Sequence, residues 1–304
     1  MTNFKKIVVI GAGTMGSGIA AHLANSNRQV VLIDLKGKEK PNSITENAID
    51  IIKKSDPPLL VERSRLEYIK PGNLEDDFDE IKDADWVIEA VVERIDIKHK
   101  LYSQIDKVRS PNSIISSNTS TIPLSILTQE MSDTLKADFS ITHFFNPVRF
   151  MRLLEIVETP TMNKDKMSGL RDFCQNELGK GIVNCNDTPG FIGNRIGVYA
   201  MQVAMYEALE RGLPVEIADA LFGRPLGIPK TGVFGLYDLI GIDLMKDVLA
   251  SFKKELQEND PFMDVVAPHP LVEKLLEKGF NGNKGPGGFY QTTIVDDDEI
   301  VKAM

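Results

Sequence analysis

The stretch "KIVVIGAGTMGSGIA" constrains the fold more than any other part of the chain. A strand-type run, 6–10, leads straight into Gly11, Gly13 and Gly16, and a helical pattern follows over 16–25. In this G-x-G-x-x-G spacing the first glycine permits a tight turn and the second lets backbone approach a pyrophosphate. The third lets helix and strand pack closely. Backbone N–H groups at the helix start, around Thr14 and Met15, would face the phosphates. Glycines alone would be a weak signal, since any tight strand-to-helix turn can use them. Here Asp34 closes the next strand, 18 residues after Gly16. A carboxylate there accepts hydrogen bonds from ribose hydroxyls and repels a 2′-phosphate, so NAD is expected rather than NADP.

The next residues keep the same rhythm. Strand patterns fall at 29–34, 86–92, 113–117, 139–144, 153–157 and 181–185, with helical patterns between several of them, including 96–108 and 165–178. Alternation of this kind predicts an α/β fold of Rossmann type, a mostly parallel sheet covered on both faces. After "NDTPGFIGNRI" (186–196) the pattern turns helical, with a long helix ending at Gly212 and others over 214–223, 235–256 and 270–278. Two domains are therefore expected, 1–187 for the dinucleotide and an all-helical 188–304 for substrate and dimer contacts. The acidic "DDDE" at 296–299 reads as a solvated surface stretch or tail.

Composition narrows the function. Against 35 Lys and Arg stand 44 Asp and Glu, a net charge of −9, so nothing favours a nucleic-acid backbone as partner. The apolar run at the amino terminus is too short to span a membrane, and no membrane insertion is expected. Two cysteines, Cys174 and Cys185, cannot build a disulfide framework and have no metal-type spacing. Free thiols in a reducing, cytoplasmic setting are the expectation, with no metal.

Three segments carry candidate chemistry. In "VIEAVVERIDIK", Glu93 and Lys98 lie between a strand end and a helix, on the side where such sheets bind ligands; ordinary helix-start charge explains them equally well. "IISSNTSTIP" ends a strand in hydroxyl and amide groups, Ser120 among them. They can bind a substrate oxygen, or cap the helix that Pro123 would start. "THFFNP" places His143 at a strand end, and Glu155 follows within the apolar run LLEIV. A carboxylate in such a run needs a partner. A Glu on one imidazole nitrogen would fix the tautomer and leave the other nitrogen as a base, although the pair could be structural. Asn194 lies one turn into the helix that opens the second domain, where it could face a substrate cleft.

Together these motifs resemble one family, the 3-hydroxyacyl-CoA dehydrogenases. "VVIGAGTMGSGIA", "VIEAVVERIDIK", "SSNTST", "THFFNPVRFMRLLEIV", "NDTPGFIGNRI", "DLIGID" and "GNKGPGGFY" occur in the family's order between residues 7 and 290. The resemblance implies His143 as base, Glu155 as its partner, and Ser120 and Asn194 as groups that orient the reacting oxygen. It implies cofactor contacts from Gly11, Gly13, Thr14, Met15, Gly16, Asp34, Glu93, Lys98, Ser120, Asn146 and Lys284. The implied reaction is NAD-dependent oxidation of an (S)-3-hydroxyacyl-CoA to the 3-oxoacyl-CoA, in fatty-acid β-oxidation or short-chain acyl-CoA metabolism, by a homodimer. Lys230, Thr231, Arg149 and Arg152 depart from the short stand-alone pattern and look closer to the dehydrogenase part of fused fatty-oxidation enzymes. The chain could then belong to a longer multi-domain protein. Competing readings keep the fold but change the substrate to a non-CoA β-hydroxy acid or carnitine-like alcohol, or reduce the chain to a catalytically dead NAD-binding scaffold.

Overall fold

The computed structural model describes residues 4–228, 230–295 and 298–303, and the chain divides into two compact units between Phe191 and Ile192. The first unit is built on eight strands. These are β1 (Lys6–Ile10), β2 (Gln29–Asp34), β3 (Ile69–Asn73), β4 (Trp86–Glu89), β5 (Ile114–Ser117), β6 (Phe139–Phe144), β7 (Leu153–Glu158) and β8 (Gly181–Asn184). Their order in the sheet is β3-β2-β1-β4-β5-β6-β7-β8. The strands from β3 to β6 run parallel; β7 is antiparallel to β6, and β8 runs with β7.

Six helices accompany this sheet: α1 (Thr14–Asn25), α2 (Ser43–Lys54), α3 (Ile95–Val108), α4 (Leu124–Leu127), α5 (Asp133–Lys136) and α6 (Lys164–Asn176). Alternate residues of β1 go to opposite cores. Ile7 and Val9 join Ile19 and Leu23 of α1 and Leu170 and Phe173 of α6. Val8 and Ile10 join Leu101 and Ile105 of α3. Burial on both faces explains why the strands read as continuous apolar runs. The Rossmann-type sheet followed by a helical part is therefore as the sequence predicts.

Two elements escape the sequence pattern. One is β3, whose "IKPGN" contains a proline and a glycine; it is an edge strand, where a missing N–H is tolerated. The other is α2, which buries only Thr45, Ala48 and Ile52.

The second unit contains α7 (Gly193–Glu210), α8 (Val215–Leu221), α9 (Phe234–Ile240), α10 (Ile242–Glu255) and α11 (Pro270–Glu277), then β9 (Tyr290–Val295) and β10 (Asp298–Ala303). Its core includes Met205, Phe234, Tyr237, Leu249, Phe252 and Phe289. The expected helix over 235–256 is interrupted at Gly241, whose φ of 105° no helix accommodates. The all-helical expectation also needs correction, because β9 and β10 pair as antiparallel strands. Of the acidic stretch, Asp296 and Asp297 lie outside the described residues, and Asp298 and Glu299 belong to β10 rather than to a tail.

One core group in the first unit makes stability depend on pH. His22 of α1 engages the Leu178 carbonyl through Nε2 at 3.0 Å, and its Nδ1 is buried without a partner. Burial, reinforced by the nearby Lys180 charge, pushes its pKa from 6.5 down to about 4. The folded-state value lies below the unfolded one. The unfolded chain therefore takes up the proton first, and the stabilising effect of neutral burial is lost as pH falls from 6.5 toward 4. Linkage puts this at roughly 3 kcal/mol. Chemical denaturation of His22→Gln and wild type should show a stability difference that changes by about this amount across the window. A difference that stays constant with pH would refute the assignment.

Candidate active site

The chain leaves β1 toward β2 on one side and returns at β4 on the other, so a crevice opens at the carboxyl ends of these strands. The glycine loop lies there. Gly11 has φ 105°, and a Cβ on it would come within 2.4 Å of the Ala90 carbonyl oxygen. A Cβ on Gly16 would come within 1.7 Å of the Gly11 carbonyl oxygen. A Cβ on Gly13, in contrast, would meet nothing within 4 Å. The helix behind the loop, α1, has Gly13 as N-cap, no side-chain cap and no acidic residue in its first turn. Its first N–H groups, from Thr14 and Met15 onward, are therefore free of a competing anion. Asp34 at the end of β2 is held by the N–H groups of Ala12 and Leu35, each at 2.6 Å. Open space over a helix start, beside a fixed carboxylate, fits a dinucleotide with free ribose hydroxyls.

Next along the edge, Glu93 and Lys98 stand in the β4–α3 connection and the first turn of α3. Lys98 is buried, with its ammonium 2.6 Å from Glu89 and 3.3 Å from Glu93. This is an interior ion pair and not the surface pairing that simple helix-start charges would make. Glu93 accepts hydrogen bonds from the Thr119 hydroxyl at 3.1 Å and the Ser120 N–H at 3.2 Å. The Ser120 segment is thus strapped to the β4 side of the crevice. The hydroxyl cluster does not cap the following helix. Asp187 does so, accepting from the N–H groups of Leu124 at 2.6 Å and Ser125 at 2.8 Å. Asn118 reaches the other way and accepts the Phe144 N–H at 2.9 Å.

His143 lies at the end of β6, where the change to antiparallel pairing puts Glu155 of β7 directly opposite it. The Nδ1 to Oε2 distance is 2.8 Å; Glu155 is fully buried and His143 is 6% exposed. Phe145 and Phe191 flank the ring at centroid distances of 4.4 and 5.8 Å. With Nδ1 held by a carboxylate, Nε2 is the nitrogen left for proton transfer. The Cys185 thiol lies 3.6 Å from the other Glu155 oxygen. Asn146 follows in the exposed turn after β6, which Lys180 braces by donating to the Val148 and Met151 carbonyls at 2.5 and 2.9 Å. Arg149 in the same turn donates to the Pro58 and Leu60 carbonyls at 2.5 and 3.1 Å.

The first unit therefore gathers the glycine loop, Asp34, Glu93, Lys98, Ser120, His143, Asn146 and Glu155 on the carboxyl-end side of one sheet. Asn194 and Lys284 belong to the second unit. Asn194 is half-buried in the first turn of α7, and Lys284 is exposed beside Gly241 and Asp243. The residue that sequence reasoning missed is Glu89. Its signal was available, a lone carboxylate inside the apolar run WVIEAVV. Among the described residues no group of His, Cys, Asp and Glu could hold a metal ion, and no helix is long and apolar enough to cross a membrane.

A doubly wound sheet with a glycine-loop crevice and a His–Glu pair at its edge defines an NAD-linked dehydrogenase type of protein. Comparison with known proteins gives the particular family. Residues 6–188 match the "3-hydroxyacyl-CoA dehydrogenase, NAD binding domain" and residues 190–292 the family's C-terminal domain. The chain belongs to the 3-hydroxyacyl-CoA dehydrogenase family, and NAD is its cofactor. It is 43% identical over 302 residues to a putative fatty acid oxidation complex trifunctional enzyme of Rickettsia felis, covering 99% of this chain and 42% of that protein. A probable 3-hydroxyacyl-CoA dehydrogenase of Deinococcus radiodurans is 36% identical, covering 95% of this chain and 83% of the relative. Among solved structures, the (S)-3-hydroxybutyryl-CoA dehydrogenase of Ralstonia eutropha superposes with a TM-score of 0.73 at 30% identity, covering 93% and 96% of the two chains. The chain thus spans less than half the length of the fused Rickettsia relative.

Proposed function

We propose that this chain catalyses the NAD-dependent oxidation of an (S)-3-hydroxyacyl-CoA to the 3-oxoacyl-CoA, and its reversal. The observation that carries the proposal is the His143–Glu155 pair, at 2.8 Å, on the sheet edge that also bears the glycine loop. In this reading Nε2 of His143 takes the hydroxyl proton as the alcohol becomes a carbonyl. Glu155, fully buried, holds the ring in one tautomer and offsets the imidazolium charge. Ser120 and Asn194 orient the oxygen on which charge develops. NAD, when bound, supplies the acceptor for the hydride leaving C3. The glycine loop and the start of α1 hold its pyrophosphate, Asp34 its ribose, and Glu93, Lys98, Asn146 and Lys284 the remaining contacts. Phe145 and Phe191 keep water from the ring face and so strengthen each charge interaction around it.

The chain acts as a homodimer on this reading, since α7 and α8 present exposed Ile196, Tyr199, Ile217 and Leu221 for a second copy. A cytoplasmic setting fits Cys174 and Cys185, which are not joined in a disulfide. The testing experiment is steady-state reduction with NADH of 3-oxoacyl-CoAs of graded length, beside free acetoacetate. Acetoacetyl-CoA should be reduced with much the higher kcat/KM, because CoA supplies binding energy remote from the reacting carbon. Equal or better turnover of free acetoacetate would move the assignment to a non-CoA hydroxy acid. Intact NADH binding without turnover of any thioester would leave only a scaffold.

A further inference from the structure

We propose that Glu89, a residue outside the set assigned above, is a positioning residue for the cofactor. The inference rests on the cofactor assignment of Lys98 and Glu93. It assigns Glu89 the task of fixing both, together with the Ser117–Ser120 segment. Glu89 ends β4 and pairs in register with Ile10 of β1 on one side and Ser117 of β5 on the other, which places it at the crevice where the strand order reverses. It is fully buried. Four donors converge on its carboxylate. Oε1 accepts from the Val91 N–H at 2.8 Å and Lys98 Nζ at 2.6 Å. Oε2 accepts from the Tyr102 hydroxyl at 2.5 Å and the Ser117 hydroxyl at 2.7 Å. Burial and the adjacent Glu89 charge push the Tyr102 phenol well above its usual pKa, so it remains a donor throughout the working range.

A site with this many partners holds its charge in one place. Buried ion pairs are seldom better for stability than apolar groups of the same volume, so stability alone does not account for one at a strand end. Its contacts suggest geometric control instead. Lys98, held by Glu89, is also 3.3 Å from Glu93, and Glu93 in turn holds Thr119 and the Ser120 N–H. Through Ser117, Glu89 sets the exit of β5 directly, and the Ser117 hydroxyl accepts the Thr119 N–H at 3.2 Å. Removing the Glu89 charge would release Lys98 toward Glu93 and loosen both straps on the Ser120 segment.

The test is Glu89→Gln in the full chain. NADH affinity is measured by fluorescence titration well below the melting temperature, with kcat/KM for acetoacetyl-CoA alongside. The NADH Kd should rise at least tenfold, and kcat/KM for the thioester should fall as well, because the loosened segment carries Ser120. A folded Glu89→Gln protein that binds NADH within twofold of wild type would overturn the proposal. It would leave the dehydrogenase assignment standing, since the binding readout needs no acyl substrate. If Glu89→Gln does not fold, Tyr102→Phe removes one donor to Oε2 without stranding a charge. It should raise the NADH Kd two- to fivefold, and an unchanged Kd there would make Glu89 a structural residue only.

Discussion

Replacing His143 by glutamine should lower kcat by about 10²–10⁴-fold and leave NADH binding intact. Glutamine keeps a polar group of similar reach opposite Glu155 but cannot take and return a proton near neutral pH. The loss should appear equally in oxidation and reduction, because one nitrogen serves as base in one direction and, protonated, as acid in the other. The separation of effects follows from placement. His143 lies near the end of β6, whereas the glycine loop follows β1, three strands away across the sheet. Turnover near wild type would remove His143 from the chemistry and leave its pair with Glu155 as packing.

The second large effect is expected at Gly16. An added Cβ would sit 1.7 Å from the Gly11 carbonyl oxygen, a backbone atom with no rotamer by which to yield. Gly16→Ala must therefore displace the start of α1 from the turn proposed to hold the dinucleotide. NADH affinity should fall at least about 100-fold, close to 3 kcal/mol, with a lowered melting temperature. Gly13→Ala is the contrast. Its Cβ meets no protein atom within 4 Å, and its φ of −68° suits any residue. That variant should keep its melting temperature yet still lose NADH affinity, because the methyl enters the space left for the pyrophosphate. Calorimetry and NADH titration on the two proteins separate the explanations. If Gly13→Ala bound NADH normally, the pyrophosphate would not lie over this loop.

Much of this was legible from residue order. β-Branched runs alternating with amphipathic stretches report a sheet covered on both faces, and the glycine spacing reports which strand comes first. The pairing of His143 with Glu155 was readable because a carboxylate in the run LLEIV has to find a partner. Glu89 sat in a similar run and passed unnoticed. Its partners Tyr102 and Ser117 are 13 and 28 residues away, and only the packing of α3 and β5 against β4 brings them to it. Asp187 was equally invisible as a cap, being 63 residues from the N–H it satisfies. β3 was missed for a local reason, since proline and glycine disqualify a strand everywhere except at an edge. The break at Gly241 was missed because helical periodicity continues across it while the backbone does not.

The antiparallel step between β6 and β7 has a consequence for how such a site can vary. Side chains in a strand alternate faces, so a shift of one residue in β7 would swing the 155 carboxylate to the opposite side of the sheet. The pair is therefore all-or-nothing with respect to insertions and deletions within either strand. Length changes in the connecting turn, between Phe145 and Arg152, leave that register untouched. On the proposed roles, such changes would alter the surroundings of Asn146 and so the cofactor contact it makes, while the His143–Glu155 pair stays in register.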